Sequence, residues 1–472
     1  MVFSDITFLY IFLPATLILY FLTPKKLNNL FLLISGLFFY AWGEPLYVGV
    51  MVISTLVDYF AGLVLWKFDK RPAVRKAALI VSVVMNLGLL GLFKYSGFVV
   101  TNLNMLGANL PAPADFPIPV NILPIGISFF TFQSMSYTID LYLRNVKVQK
   151  NPVTFAAYVT MFPQVVAGPI VRYNDVAAEM DKRELSSGMC YEGITRFMTG
   201  LGKKVLIANN IGLLWSGVKA MDYGTLPALT AWLGIIAYTL QIYFDFSGYS
   251  DMAVGLGKIF GFNFPENFRY PYMSRSISEF WRRWHMTLGA WFKSYVYFPL
   301  GGSRKGLRRT CLNLAVVWIL TGIWHGASWN FILWGSLYGA VIILEKLFLG
   351  KLLLKTPAAV QHVYTMLLVI LGWVIFDTAS LADSFRYMGA MFGGSGIAAD
   401  DGSFNLIINY AVMLVIGIFG CTDLFARVKN RFALSCVRFS HVAEPVCSAG
   451  ILLLSTAYLV NANYNPFLYF NF

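Results

Sequence analysis

The sequence predicts an all-α polytopic membrane protein, and three observations lead there. Charged residues make up 12% of the 472 positions, about half the share in a soluble domain. Hydrophobic residues make up 58%, with a mean hydropathy of +0.64, and they fall in repeated long runs. Lys and Arg sit in short clusters between those runs, as cytoplasmic loops do. The net charge of +13 therefore reads as loop topology rather than a nucleic-acid surface, because no soluble basic domain carries it. About ten to twelve spans are expected, with re-entrant and interfacial helices among them.

In order, apolar runs cover Phe3–Leu22, Leu30–Trp42 and Leu46–Trp66. The basic loop Lys67–Lys76 requires an outside N-terminus and three crossings before it. Ala77–Phe93 then crosses outward. Ser96–Asn121, with Asp115 its single charge and Pro111, Pro113 and Pro117, suits an outer loop with a short interfacial helix. Leu123–Leu143 returns to the basic stretch Arg144–Lys150. Val153–Val171 is broken by Pro163, Gly168 and Pro169, which fits a re-entrant piece beside a cavity. Spans are expected near Lys204–Val218 and Leu226–Phe246. Gly248–Arg309 is too polar to span and too aromatic for a free loop. Apolar runs resume at Leu312–Ile323, Trp329–Leu344, Val363–Phe376, Leu406–Ala426 and Val446–Val460. One membrane domain results, with N-terminal helices over 1–150, a catalytic core over 151–346 and C-terminal helices over 347–472. The first apolar run has no basic n-region and no small-residue cleavage site and reads as a retained span. The five cysteines are scattered, without a C-x-x-C pair, so neither a zinc site nor a disulfide framework is expected.

The chemistry concentrates in Ser276–Tyr338. It holds two of the four histidines, His285 and His325, forty positions apart. Ile277, Phe280, Trp281, Trp284, Leu288 and Trp291 recur at steps of three and four, which predicts one amphipathic interfacial helix over Ile277–Trp291. Arg282, Arg283 and the loop residues Arg304 and Lys305 form a candidate phosphate-binding cluster for an acyl donor. That loop, Gly301–Gly306, matches no established phosphate motif. His325 lies within an apolar run, flanked by Gly322, Gly326, Ala327 and Ser328. An ionisable group there is a functional candidate by default. From Cys311 to His325 is about 21 Å of helix, and the short runs on either side predict that His325 lies within the bilayer. It would line an internal tunnel walled by Trp324 or Trp329, facing His285 across it in a locally thinned bilayer. Asp245, at a span end, is a candidate to orient a histidine or pair with an arginine. The bland readings stand beside these: a core histidine, an interfacial anchor, a helix-end carboxylate. No His-Glu-x-x-His or Gly-x-Ser-x-Gly occurs, which argues against a metalloprotease or serine hydrolase.

Several stretches resemble the membrane-bound O-acyltransferases, within them the alginate O-acetyltransferase-like subgroup. They are Trp281–Leu288, Tyr297–Arg304 and Trp324–Ala327. Leu123–Phe130, Phe162–Gln164 with Ala167–Ile170, Tyr243–Asp251 and Pro466–Phe472 support them. The resemblance implies a helical core pierced by a tunnel, with His325 at its heart as general base or transient acyl carrier. It implies that His285 is the second functional histidine. Trp284, Trp324, Trp329, Asn330 and Asp245 become candidates for supporting or tunnel-lining roles. It implies a cytoplasmic donor, acetyl-CoA, with no tightly bound cofactor and no metal. The acceptor would be an exported polysaccharide such as alginate, reached through a periplasmic or extracellular SGNH-hydrolase-like acetyltransferase, and the enzyme would sit in the bacterial cytoplasmic membrane. Peptidoglycan or cellulose O-acetylation and D-alanyl transfer to teichoic acid are the enzymatic alternatives. A polysaccharide transporter or flippase is the non-enzyme one, and it would call for paired intramembrane charges.

Overall fold

The structure, a computed structural model, describes residues 1–108, 110–111, 123–435, 437–461 and 468. Asp115 with its loop, and the terminal motif apart from Leu468, lie outside those residues, as does the His441 side chain. Among the described residues the chain is helical throughout, without strands. It divides into two units: Met1–Phe197 with Ser250–Glu266, and Met198–Tyr249 with Asn267–Phe472.

The first unit contains α1 (Phe8–Leu22), α2 (Asn28–Gly43), α3 (Val48–Lys67), α4 (Pro72–Met105), α5 (Ile127–Tyr142), α6 (Pro152–Thr160) and α7 (Tyr173–Asp181). Apolar helices gain little from lipid exclusion alone, so close packing and polar contacts join them. Asp58 of α3 accepts hydrogen bonds from Ser82 (2.5 Å) and Asn86 (2.9 and 3.0 Å) of α4. Ser82 also contacts Thr138 of α5 at 2.8 Å. Arg75 donates to the Tyr142 carbonyl at 2.7 Å and so satisfies the end of α5. The expected break after α6 is present, with Gly168 at φ +116°.

The second unit holds α9 (Asn209–Lys219), α11 (Ile277–Arg283), α12 (Met286–Phe292), α13 (Leu307–His325), α14 (Trp329–Leu353), α15 (Ala358–Asp377), α16 (Leu381–Met391), α17 (Asp401–Gly420), α18 (Leu424–Ser435) and α19 (Val437–Asn461). Two helices, α8 (Ser187–Gly202) and α10 (Ala228–Ile259), contribute residues to both units.

Seven helices among the described residues are long and apolar enough to cross a membrane. Other expected spans prove shorter: α2 and α5 have 16 residues each, about 24 Å. Two boundaries differ from expectation. The fourth span does not stop at Phe93; α4 continues to Met105, so the short helix expected within Ser96–Asn121 is an unbroken extension of the span. The span expected to end at Phe246 runs on to Ile259, because Gly248, Gly255 and Gly257 keep it slim where neighbours press close. A Cβ on Gly248 would meet the Gly200 carbonyl at 2.8 Å.

Candidate active site

The predicted single helix over Ile277–Trp291 is instead a hairpin of α11 and α12, broken at Trp284–His285. His285 adopts φ +43°, a left-handed conformation that costs a non-glycine residue about 1 kcal/mol or more. The strand-like segment beginning at Asn267 holds the break open from the side. Arg269 N–H donates to the Arg283 carbonyl and Met286 N–H to the Asn267 carbonyl, both at 2.9 Å. The Asn267 side-chain oxygen accepts from Thr287 Oγ1 at 2.9 Å and from the Thr287 N–H at 3.4 Å. A backbone N–H can only donate, so that atom is the acceptor oxygen. His285 Nδ1, 3.0 Å away, therefore carries the proton, and Nε2 carries the lone pair.

Glu345 fixes the base of the hairpin. Its two carboxylate oxygens accept the Ile277 and Ser278 N–H groups, each at 2.8 Å. This satisfies the first orphan donors of α11 with a negative charge, as a helix N-terminus favours. From there α11 rises along α13 and α14. Trp281 packs on Trp318 and Tyr338, each at 4.9 Å between centroids, and on Trp334 at 5.3 Å. After His285 the chain descends through α12 and a π-helical turn, Lys293–Tyr297, to the basic loop. His285 is thus the tip of the hairpin, about 18 Å of helix from Tyr297. It is not on an interfacial helix at the basic end.

His325 is the last residue of α13, and extended Gly326 turns the chain into α14. The two helices cross at glycines. A Cβ on Gly322 would lie 2.3 Å from the Phe331 carbonyl, and one on Gly335 would lie 2.4 Å from the Trp318 carbonyl. They are also longer than the sequence suggested. With 19 residues in α13 and 25 in α14, each is about as long as the hydrocarbon core or longer. The expected thinning of the bilayer around short helices loses its basis. His325 instead lies about 27 Å along α13 from Leu307, at the end opposite the basic loop.

Trp324 joins the two histidines. Its ring is 5.8 Å from that of His285 and 4.9 Å from that of His325. Phe246 meets His285 edge-on at 4.8 Å, while Trp334 (5.0 Å) and Phe376 (5.3 Å) enclose His325. Both imidazoles are almost fully buried, at 2% and 3% exposure. A cavity of about 240 Å³ reaches His285, between Trp281, Trp284 and Lys293 of the hairpin arm and Val317, Trp318 and Thr321 of α13. His325 lies behind Trp324 and is not part of that lining.

The remaining candidates separate. Trp284 is in the cavity wall and stacks near Trp373 at 4.9 Å. Trp329 is 55% exposed and faces outward. Asn330 is a structural clasp: its amide donates to the Ile375 and Thr378 carbonyls at 3.1 and 3.0 Å, tying α14 to the end of α15. Asp245 pairs with neither histidine nor arginine. It forms a buried ion pair with Lys204 at 2.6 Å and accepts the Leu468 N–H at 2.9 Å. Arg283 is engaged by Glu279 at 2.6 Å, near the hairpin tip. Arg304 and Lys305 are exposed on the loop at the other end, so the four cations are not one cluster. Sequence reasoning missed Asn267, Lys293 and Glu345. Only Glu345 carried a signal, as the sole carboxylate in the apolar run of α14.

Comparison with known proteins matches the profile of the membrane-bound O-acyltransferase family to residues 126–381. The chain is 40% identical to the probable alginate O-acetylase AlgI of Azotobacter vinelandii, over 90% of this chain and 86% of that one. It is 37% identical to the protein of that name from Pseudomonas putida over the full length of both. It is 33% identical to the peptidoglycan O-acetyltransferase of Helicobacter pylori, over 84% and 81%.

Proposed function

This chain belongs to the membrane-bound O-acyltransferase family, a multi-pass membrane enzyme of acyl transfer, and on that premise we propose that it passes acetyl from cytoplasmic acetyl-CoA to an exported polysaccharide, alginate in the first instance. The observation that carries this reading is the placement of two buried histidines on either side of Trp324, His285 at the tip of a hairpin whose α12 arm leads down to the basic loop and His325 at the end of α13. By the positive-inside rule that loop, with Arg304, Lys305, Arg308 and Arg309, is cytoplasmic. The donor then approaches along the α12 side of the cavity, where Lys293 meets its phosphates and His285 its thioester. His325, at the far end of α13, faces the acceptor side.

His325 removes the proton from the attacking hydroxyl as oxygen bonds to the acetyl carbonyl carbon. The tetrahedral intermediate collapses, the C–S bond breaks, and the coenzyme A thiolate takes that proton from the imidazolium. For one thioester to serve both imidazoles the Trp324 indole turns aside, which makes it the gate of the site. Holding donor and hydroxyl at one base is proximity catalysis. The proposed setting is the bacterial cytoplasmic membrane, with a periplasmic SGNH-hydrolase-like acetyltransferase relaying acetyl to the polymer. Greater identity and coverage among the alginate-associated relatives favour alginate over peptidoglycan, which the Helicobacter relative's name keeps as the second reading.

The test is complementation of a strain that lacks its own alginate O-acetylase. Restored acetyl esters on alginate support the assignment; acetylation of peptidoglycan alone would replace alginate with the second acceptor.

A further inference from the structure

A second, larger cavity of the same unit stands apart from His285 and His325. It holds about 490 Å³, within the size range of small-molecule sites, whereas the His285 cavity falls below it. It lies between α10, α15, α17 and the Tyr272–Arg275 turn. Tyr272 closes it toward the hairpin: its hydroxyl donates to the Thr239 carbonyl at 2.5 Å, and its ring stacks on Phe280 at 6.0 Å.

The lining has a polarity gradient. His362, Met366 and Ile370 follow one face of α15 over about 12 Å of helix. Ile236 and Ile370 form one end. Arg275, His362 and Thr422 form the other, on the side where Glu345 pins α11. His362 Nδ1 donates to the Ser274 carbonyl at 3.2 Å, which holds the ring at the mouth beside exposed Arg275. Ile418 is 53% exposed, so the cavity opens sideways along α17 as well as at its cationic mouth.

We propose that this cavity binds one anionic phospholipid of the cytoplasmic leaflet, its phosphate against Arg275, a head-group hydroxyl donating to His362 Nε2, and one acyl chain along Met366, Ile370 and Ile236. Guanidinium matches phosphate geometry, and basic pockets between membrane helices on the cytoplasmic side take anionic head groups. The apolar end takes methylenes that would otherwise face a void. Through Tyr272 and the pinned start of α11, the bound lipid buttresses the hairpin that carries His285.

The experiment is native mass spectrometry of the purified full-length chain with phosphatidylglycerol or phosphatidylcholine. One phosphatidylglycerol should be retained per chain, at least tenfold over phosphatidylcholine. The Arg275→Ala/His362→Ala pair, at exposed positions and expected to fold, should lower retention at least fivefold. Ile370→Trp, which fills the apolar end, should do the same. Equal retention of the two lipids, or unchanged retention in the double variant, overturns the proposal. Displacement of the lipid by coenzyme A also overturns it and gives the cavity to the donor.

Discussion

At the residue scale, chemistry and support divide along lines that composition alone does not draw. His325 and His285 were legible because an imidazole between small or aromatic residues in an apolar run is costly and must be compensated. Their joining by Trp324 was not, since a separation of forty positions leaves their distance in space open. Asp245 was misread for a physical reason: a buried carboxylate seeks a cation, and Lys204, on the preceding π-helical turn, reaches it first. Lys204→Met should destabilise the chain by about 3–5 kcal/mol by leaving Asp245 charged and alone, whereas Lys204→Met with Asp245→Leu should recover most of that loss. Chemical denaturation in detergent measures both, and equal losses in the single and double variants would refute the pairing argument. Asn267 acts on the site through His285. Asn267→Ala should lower kcat about tenfold, the equivalent of roughly 1.4 kcal/mol, with little change in the donor KM; a raised KM at unchanged kcat would make it a binding residue instead.

At the element scale, the hairpin is the feature the sequence concealed. Apolar positions keep helical spacing straight through Trp284–His285, so periodicity predicts one helix. The break is held from outside by the Asn267–Arg269 backbone, while the Glu345 carboxylate clamps the start of α11, and neither partner lies within the run itself. Glu345→Ala leaves two N–H groups without their anionic acceptor and should cost about 2–4 kcal/mol. Turnover should fall in step, while Glu345→Gln, which keeps one acceptor oxygen, should be intermediate. An alanine variant as stable and active as the parent would show that the hairpin stands without its clamp. The α13–α14 crossing makes a separate prediction. Gly335→Val should lose roughly 1–3 kcal/mol through overpacking against the Trp318 carbonyl, read as a lowered Tm, and an unchanged Tm would mean the crossing has slack.

At the scale of the whole molecule, the apolar runs made the membrane class legible, because bilayer thickness acts directly on sequence, and the basic loops carry the expected direction of the chain. The lengths of α4 and α10 were less legible, since glycines and polar residues inside a helix resemble loop until their neighbours are known. In the proposed orientation the donor meets the end bearing Arg304, Lys305 and Lys293. The Lys293→Ala variant should raise the donor KM several-fold and weaken its salt dependence, because a screened attraction has been removed. An unchanged KM would leave those cations with topology as their only role. The central claim is that His325, behind Trp324, performs the transfer once that indole turns aside. Its most direct measurement is acetyl transfer to alginate from labelled acetyl-CoA by His325→Ala in membranes, alongside its thermal unfolding. The account predicts label at background with Tm within a few degrees of the parent; wild-type labelling by that folded variant would contradict it.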